Sequence, residues 1–157
     1  MLRFLWAAVF QTLAVNAYAQ SGDIEDVGSI DGIINAYYEV VSGPAGETVD
    51  VSRDRFIHHP NAWVSIAGKD SNNAPTVTVM TLSDYHGENS PRSQGFYEKE
   101  VGRVVSRSGN MVHVWSSYTS ALTENGTPYT RGVNSITLFF DDQRWWIMGW
   151  MFDDSAQ

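Results

Sequence analysis

From Phe96 onward the chain reads as strands separated by turn residues. Phe96 to Arg107, Met111 to Leu122, Tyr129 to Phe140 and Trp145 to Phe152 alternate or carry β-branched and aromatic side chains. Gly109-Asn110, Asn125-Gly126 and Asp141-Asp142 stand between them. Such residues tolerate the positive φ angles of tight hairpins. Long strands joined by short turns pair antiparallel, because a parallel return needs a crossover of roughly a dozen residues. The pattern predicts an antiparallel meander.

The preceding residues predict a helical layer and two further strands. Val27, Ile30, Ile34, Tyr37 and Val41 recur at three- and four-residue steps, and Ile33 and Tyr38 widen the stripe. This is an amphipathic helix with one buried face. Gly28 and Gly32 weaken it, and Ser42-Gly43-Pro44 stops it. Ser52 is placed to cap a short helix through Ile57, ended by Pro60. Ala62 to Gly68 and Thr76 to Leu82 read as strands around the polar loop Lys69 to Pro75. Ser83 is placed to cap one more helical turn, which Gly87 and Pro91 keep short. The order is helix, helix, two strands, helix, four strands, an α+β arrangement on one curved sheet.

The N-terminus predicts a leader. Arg3 is the one charge before Asp23, and Phe4 to Val15 is apolar apart from Gln11 and Thr12. Ala17 and Ala19 supply the small-x-small pattern of a cleavage site, so residues 1–19 read as a signal peptide and 20–157 as a single exported domain. A spanning helix needs ~20 apolar residues, more than this run holds. There is no cysteine, which excludes disulfides, thiolate metal sites and a lipidated N-terminal cysteine. Loss of Arg3 with the leader takes the formal charge from −8 to −9. That balance opposes nucleic acid and anionic membranes as partners.

Ile33-Ile34-Asn35-Ala36-Tyr37-Tyr38, His59-Pro60-Asn61-Ala62, Gly95-Phe96-Tyr97-Glu98, Val112-His113-Val114-Trp115-Ser116-Ser117-Tyr118, Arg131-Gly132-Val133-Asn134-Ser135-Ile136 and Arg144-Trp145-Trp146-Ile147 follow one another along the chain. In that order they resemble the nuclear transport factor 2-like superfamily, which includes the SnoaL-like proteins. The resemblance runs from about Asp23 to Phe152, and the last three segments look like a bacterial subgroup. It implies a cone: a strongly curved antiparallel or mixed sheet wrapped on the N-terminal helices, with a pocket on its concave side. Members include isomerases, dehydratases, cyclases and binding domains, so the fold alone does not assign a function. The resemblance implies no cofactor, and it favours a homodimer through the sheet.

Enzymes of this shape need a carboxylate or histidine with a second polar group in an apolar pocket. The catalytic candidates are therefore Asp84, His58 and His113. Asp84 equally suits the first turn of its helix, where an acid complements the dipole. His58 and His59 are adjacent on an extended segment, so at most one faces the pocket. His113 sits mid-strand beside Trp115. Scattered histidines without ligand spacing argue against a metal site. Glu98 and Glu100 read as partners for Arg103 or Arg131 across the sheet. Trp63, Tyr97, Trp115, Tyr118 and Asn134 are the ligand-binding candidates. Opposite parity leaves only one of Trp115 and Tyr118 on the concave side, and likewise separates Arg131 from Asn134.

The final strand is apolar on both faces: Trp145, Ile147 and Met151 on one, Trp146, Met148, Trp150 and Phe152 on the other. A sheet surface normally alternates apolar and polar, so the second face needs a cover, and a second copy of the chain is the expected one. Together these features predict an exported cone domain that binds a small, partly apolar organic molecule. The alternatives are a cofactor-independent lyase or isomerase using a pocket His or Asp, and a structural or interaction domain acting through its sheet. The leader carries its own test. N-terminal sequencing of the exported protein should begin at or near Gln20, whereas intact Met1 in a cytoplasmic fraction would overturn it.

Overall fold

Ser29 divides the first predicted helix in two. In the computed structural model, which describes residues 23–87 and 89–153, α1 covers Ile24–Gly28 and α2 covers Ile30–Val41. The Ser29 hydroxyl accepts the Gly32 N–H at 2.9 Å and so caps α2. The expected leader lies outside the described residues. Next come α3 (Val51–Ile57), β1 (His58–Lys69), β2 (Pro75–Thr81), α4 (Leu82–His86), β3 (Tyr97–Ser108), β4 (Met111–Ala121), β5 (Thr130–Phe140) and β6 (Trp145–Asp153). Two caps differ from the sequence reading. Asp50 rather than Ser52 caps α3, because its longer reach takes the Arg53 N–H at 3.0 Å. Thr81 rather than Ser83 caps α4, in a reciprocal capping box with Asp84.

The strands form one curved six-stranded sheet in the order β2-β1-β6-β5-β4-β3. All neighbours are antiparallel except β1 and β6, whose pairing is parallel. The meander is thus β3 to β6, and the β1–β2 hairpin extends it from the far side. Helix α2 lies across the concave face and buries Ile33, Ile34, Tyr37, Tyr38 and Val40 against Val114, Ile136, Leu138, Ile147 and Trp150.

Two extra residues set which side chains face inward. In β3 the register with β4 slips between Glu100 and Gly102, leaving Val101 as a bulge. Glu98, Glu100 and Arg103 therefore all point to the concave side despite their mixed parity. In β6 the register with β5 passes from Thr137↔Gly149 to Leu138↔Ile147, leaving Met148 as a bulge. Trp145 and Ile147 face inward before it, Trp150 and Phe152 after it. This corrects the two-faced reading of the last strand: Trp150 is 1% exposed within a single chain. Only Trp146 and Met151 remain on the convex side, where Trp146 stacks under the Arg144 guanidinium at 3.7 Å.

Two glycines accept an aromatic ring from the strand beside them. Trp63 lies opposite Gly149 on the convex side, and Tyr118 lies opposite Gly132 on the concave side. A Cβ built on Gly132 would stand 2.6 Å from the Tyr118 hydroxyl. Gly132→Val should therefore displace Tyr118 and cost ~1–3 kcal/mol, read as a lowered urea midpoint with changed near-ultraviolet circular dichroism. Stability equal to that of the parent would show that the ring does not depend on this glycine.

Candidate functional site

Toward the β3 edge of the sheet the concave surface turns polar. β3 contributes Glu98 and Glu100, β4 contributes Ser116 and Ser120, and β5 contributes Asn134. These positions are cross-strand partners: Glu98↔Ser120 and Ser116↔Asn134. Tyr38 comes down from α2 to meet them. Its hydroxyl lies 2.7 Å from Ser116 Oγ and accepts from Asn134 Nδ2 at 3.3 Å. Ser116 Oγ donates to Glu100 Oε1 at 2.5 Å, and Arg103 donates to the same carboxylate and to Asp31 at 2.8 Å. Burial pushes the Tyr38 hydroxyl up to about 12, so it is a neutral donor at ordinary pH.

Glu98 has weaker support. Ser120 Oγ donates to it at 3.4 Å, and among the described residues no arginine pairs with it as Arg103 pairs with Glu100. Burial therefore dominates and raises its carboxyl to about 7, with the Ser120 and Asn134 hydrogen bonds pulling it partway down. Glu98 also stands between two chambers. One, of about 890 Å³, includes Tyr38, Ser42, Tyr97 and Glu100 in its wall. The other, of about 660 Å³, includes Phe96, Tyr118, Ser120 and Phe152. Both fall within the ~300–1,000 Å³ usual for ligand pockets.

A second polar cluster lies among the helices. Asp54 and His58 are one helical turn apart at the end of α3, which puts them on one face. His58 Nδ1 lies 2.7 Å from the Asp54 carbonyl oxygen and 3.2 Å from its carboxylate. The Thr81–Asp84 box and Gly87, at φ 51°, confine α4 to a short helix and deliver His86 to the same carboxylate. His86 Nε2 and Asp54 Oδ2 are 2.5 Å apart, and both side chains are only 5% exposed. Burial raises the Asp54 carboxyl, but the two histidine hydrogen bonds outweigh it and hold the group at about 2. Among the described residues, three buried side-chain nitrogens have no hydrogen-bond partner: His58 Nε2, His86 Nδ1 and Trp150 Nε1. Asp54, His86, Tyr85, Trp150, Val40 and Val49 line a third chamber of about 300 Å³.

The candidates from sequence divide between the two sides of the sheet. Tyr118 and Asn134 are buried on the concave side, and Tyr97 lines the larger chamber. Trp63 and Trp115 stand on the convex side, with Trp115 half exposed. His58 faces inward while its neighbour His59 packs edge-on against Trp146. Asp84 is spent on capping α4. His113 is on the convex side, 2.9 Å from Ser135 Oγ. Asp54, His86 and Glu98 escaped the sequence reading as site residues. For Asp54 a signal existed in its i,i+4 spacing from His58. For His86 none did, since α4 approaches α3 only through the fold. Among the described residues no group of three or more His, Asp or Glu is arranged to hold a metal ion.

No family model and no curated protein matches the sequence. Solved structures do. The beta subunit of a putative aromatic-ring-hydroxylating dioxygenase from Novosphingobium aromaticivorans DSM 12444 superposes with a TM-score of 0.58 at 14% identity, over 80% of this chain and 88% of that one. An NTF2-like protein of unknown function from Shewanella baltica OS155 superposes with a TM-score of 0.50 at 14% identity, over 78% of this chain and 88% of that one. With its curved mixed six-stranded sheet and few helices, the protein has the nuclear transport factor 2-like cone fold.

Proposed function

We propose that the protein is an exported binding domain whose cone takes a small, partly apolar organic molecule at Glu98. The observation that carries this reading is a part-buried carboxyl, without an ion-pair partner among the described residues, between two ligand-sized chambers. A buried polar group of this kind costs stability unless something hydrogen-bonds to it. Ser120 and Asn134 already hydrogen-bond the Glu98 carboxyl at long range, and a ligand with an apolar body and one N–H or O–H donor adds a stronger bond. Tyr38 and Asn134, already held by their own network, add a second polar contact at fixed geometry. The leader expected from the sequence supports export, and the formal net charge of −8 favours a neutral or cationic ligand over an anionic one.

The same reading includes a homodimer formed through the convex face. Val79, Ser65, Met151, Ser135, Trp115 and Val104 are successive register partners across all six strands. The next row runs through Thr81, Trp63, Gly149, Thr137, His113 and Ser106. Neither row holds a Lys, Arg, Asp or Glu, and an uncharged convex surface that carries Trp63 and Trp115 suits a self-complementary contact. The mature protein should sediment as a dimer, and Trp115→Glu should shift it to monomer with the far-ultraviolet spectrum retained. A monomeric parent at micromolar concentration would remove this part of the reading.

N-phenyl-1-naphthylamine, a neutral apolar probe with one N–H, tests the binding site. Saturable fluorescence enhancement is expected, weakened about tenfold in Glu98→Gln. No saturable binding, or binding indifferent to Glu98, would overturn the proposal. Glu98 also predicts a pH dependence of stability. Its folded value of about 7 lies above the ordinary 4.5. Between those values the native protein keeps a proton that the unfolded chain has lost. Stability from this group is therefore full below pH 4.5 and falls as pH rises through 7, by roughly 1–3 kcal/mol. Subtracting urea unfolding curves of Glu98→Gln from those of the parent across pH 4–8 should recover that slope, and a flat difference would refute it.

A further inference from the structure

The hydroxyl protons around Glu98 all run away from it or reach it weakly. Ser116 has a single proton and gives it to Glu100 Oε1 at 2.5 Å, so its oxygen accepts from the Tyr38 hydroxyl at 2.7 Å. The Tyr38 oxygen in turn accepts from Asn134 Nδ2 at 3.3 Å. The Ser42 hydroxyl gives its proton to the Tyr38 carbonyl oxygen at 2.6 Å. Ser120 offers Glu98 a contact of 3.4 Å. The carboxyl thus keeps acceptor capacity that these neighbours do not fill. Charge points the same way. The wall of the larger chamber holds Glu39, Glu98, Glu100 and Glu124, with Lys99 as its one cationic side chain. Arg53 offsets Glu39 at 2.7 Å and Arg103 offsets Glu100, whereas among the described residues no ion pair is made to Glu98. On its other side Glu98 borders the smaller chamber, to which Phe96, Tyr118, Tyr129 and Phe152 give an aromatic lining. The charged groups of that lining besides Glu98 are Arg131 and Asp153, of opposite sign.

Resting on the reading of the cone as a binding site at Glu98, we propose that its ligand is a protonated aryl-alkyl amine, with the ammonium against Glu98 and the flat apolar body among the aromatic side chains of the smaller chamber. An ammonium brings three N–H donors and the positive charge that Glu98 lacks, and a charge-assisted bond is roughly twice as strong as a neutral one. A neutral alcohol of the same shape brings one donor and no charge. A carboxylate or phosphate meets Glu98 as a like charge. The sign of the pH dependence follows. Glu98 stands at about 7 in the folded protein, and a cation binds its ionised form. Affinity for the amine therefore rises as pH rises through 7, and binding near neutrality releases a proton. Besides the charged groups of the two linings, Tyr37, Tyr38 and Tyr85 act on Glu98 or are acted on by it, and burial holds all three above the ordinary phenol value.

1-Naphthylmethylamine and 1-naphthalenemethanol share one aromatic body and differ in carrying an ammonium or a hydroxyl. Isothermal titration of the mature protein at pH 8 should show the amine about tenfold tighter than the alcohol. Glu98→Gln should bring the amine down to the level of the alcohol. Between pH 8 and pH 6 the amine should weaken about tenfold in the parent while the alcohol changes little. That profile decides the matter if Glu98→Gln does not fold, and a flat one overturns the proposal. Tyr129 is 54% exposed, so Tyr129→Ala leaves the core in place and should weaken both probes together. No effect on either would overturn the placement of the aromatic body. Glu25→Gln, on the exposed side of α1, should change neither probe. An equal loss of amine binding there would assign the preference to net charge and overturn the proposal. So would equal affinity for amine and alcohol, or amine binding that Glu98→Gln leaves unchanged. In either of those cases saturable binding of N-phenyl-1-naphthylamine to the same protein keeps the cone as a binding site, whereas no binding of any of the three probes removes both readings.

Discussion

A curved sheet that wraps a single helix must keep its concave side facing that helix along the whole length of every strand. Strict alternation cannot do this where the sheet bends, because twist and curvature change the direction in which successive side chains point. Val101 and Met148 absorb the mismatch. Each adds one residue on its strand, reverses the parity beyond it and increases the local bend. Without the bulge at Met148, Trp150 and Phe152 would face solvent and the floor under Tyr37 would be missing. Without the bulge at Val101, Arg103 would leave Glu100, and the network that orients Ser116 and Tyr38 would lose its end. Both site clusters therefore depend on where these two strands are irregular.

The interior holds two carboxyls that the same medium treats in opposite ways. Burial penalises the charged form of each. Asp54 meets two histidine donors at short range, and their hydrogen bonds carry it down to about 2. Glu98 meets a serine and an amide, and burial carries it up to about 7. One carboxyl is thus a fixed anion and the other is poised to hold or release a proton near neutrality. Environments that drive like groups apart are a mark of sites with assigned chemical roles. The Asp54 cluster also closes the helical layer, since it joins α3, the start of β1 and α4 through one side chain.

Much of the site remained hidden in the sequence for reasons that can be stated residue by residue. Trp63 and Trp115 were chosen as aromatic, and aromaticity does not reveal which side of a sheet a residue occupies. Register assigns them to the convex side, opposite Gly149 and Ser135. Glu98 looked like one end of a cross-strand ion pair. The partner was available only to Glu100, because the bulge places Arg103 beside that residue. Asp84 and His58 were both sensible acids or bases on local grounds. A capping geometry claims Asp84, while His58 joins Asp54 at a spacing that was visible along the chain. His86 belongs with Asp54 across 32 residues, and no local pattern joins them.

What the sequence determined by itself was the kind of elements, their order and their hydrophobic sides. Those follow from period, turn chemistry and capping, which act over a few neighbouring residues. The four C-terminal strands, the stripe on α2 and the α+β order were legible for that reason, whereas the cone was implied by the family resemblance. Tertiary structure alone decided the parallel pairing of β1 with β6, the two bulges and the meeting of Asp54 with His86. It also decided how far each buried carboxyl is desolvated. These quantities arise where distant segments compete for one interior, and the electrostatic cost of burying a charge is set by every group around it rather than by its neighbours in the chain.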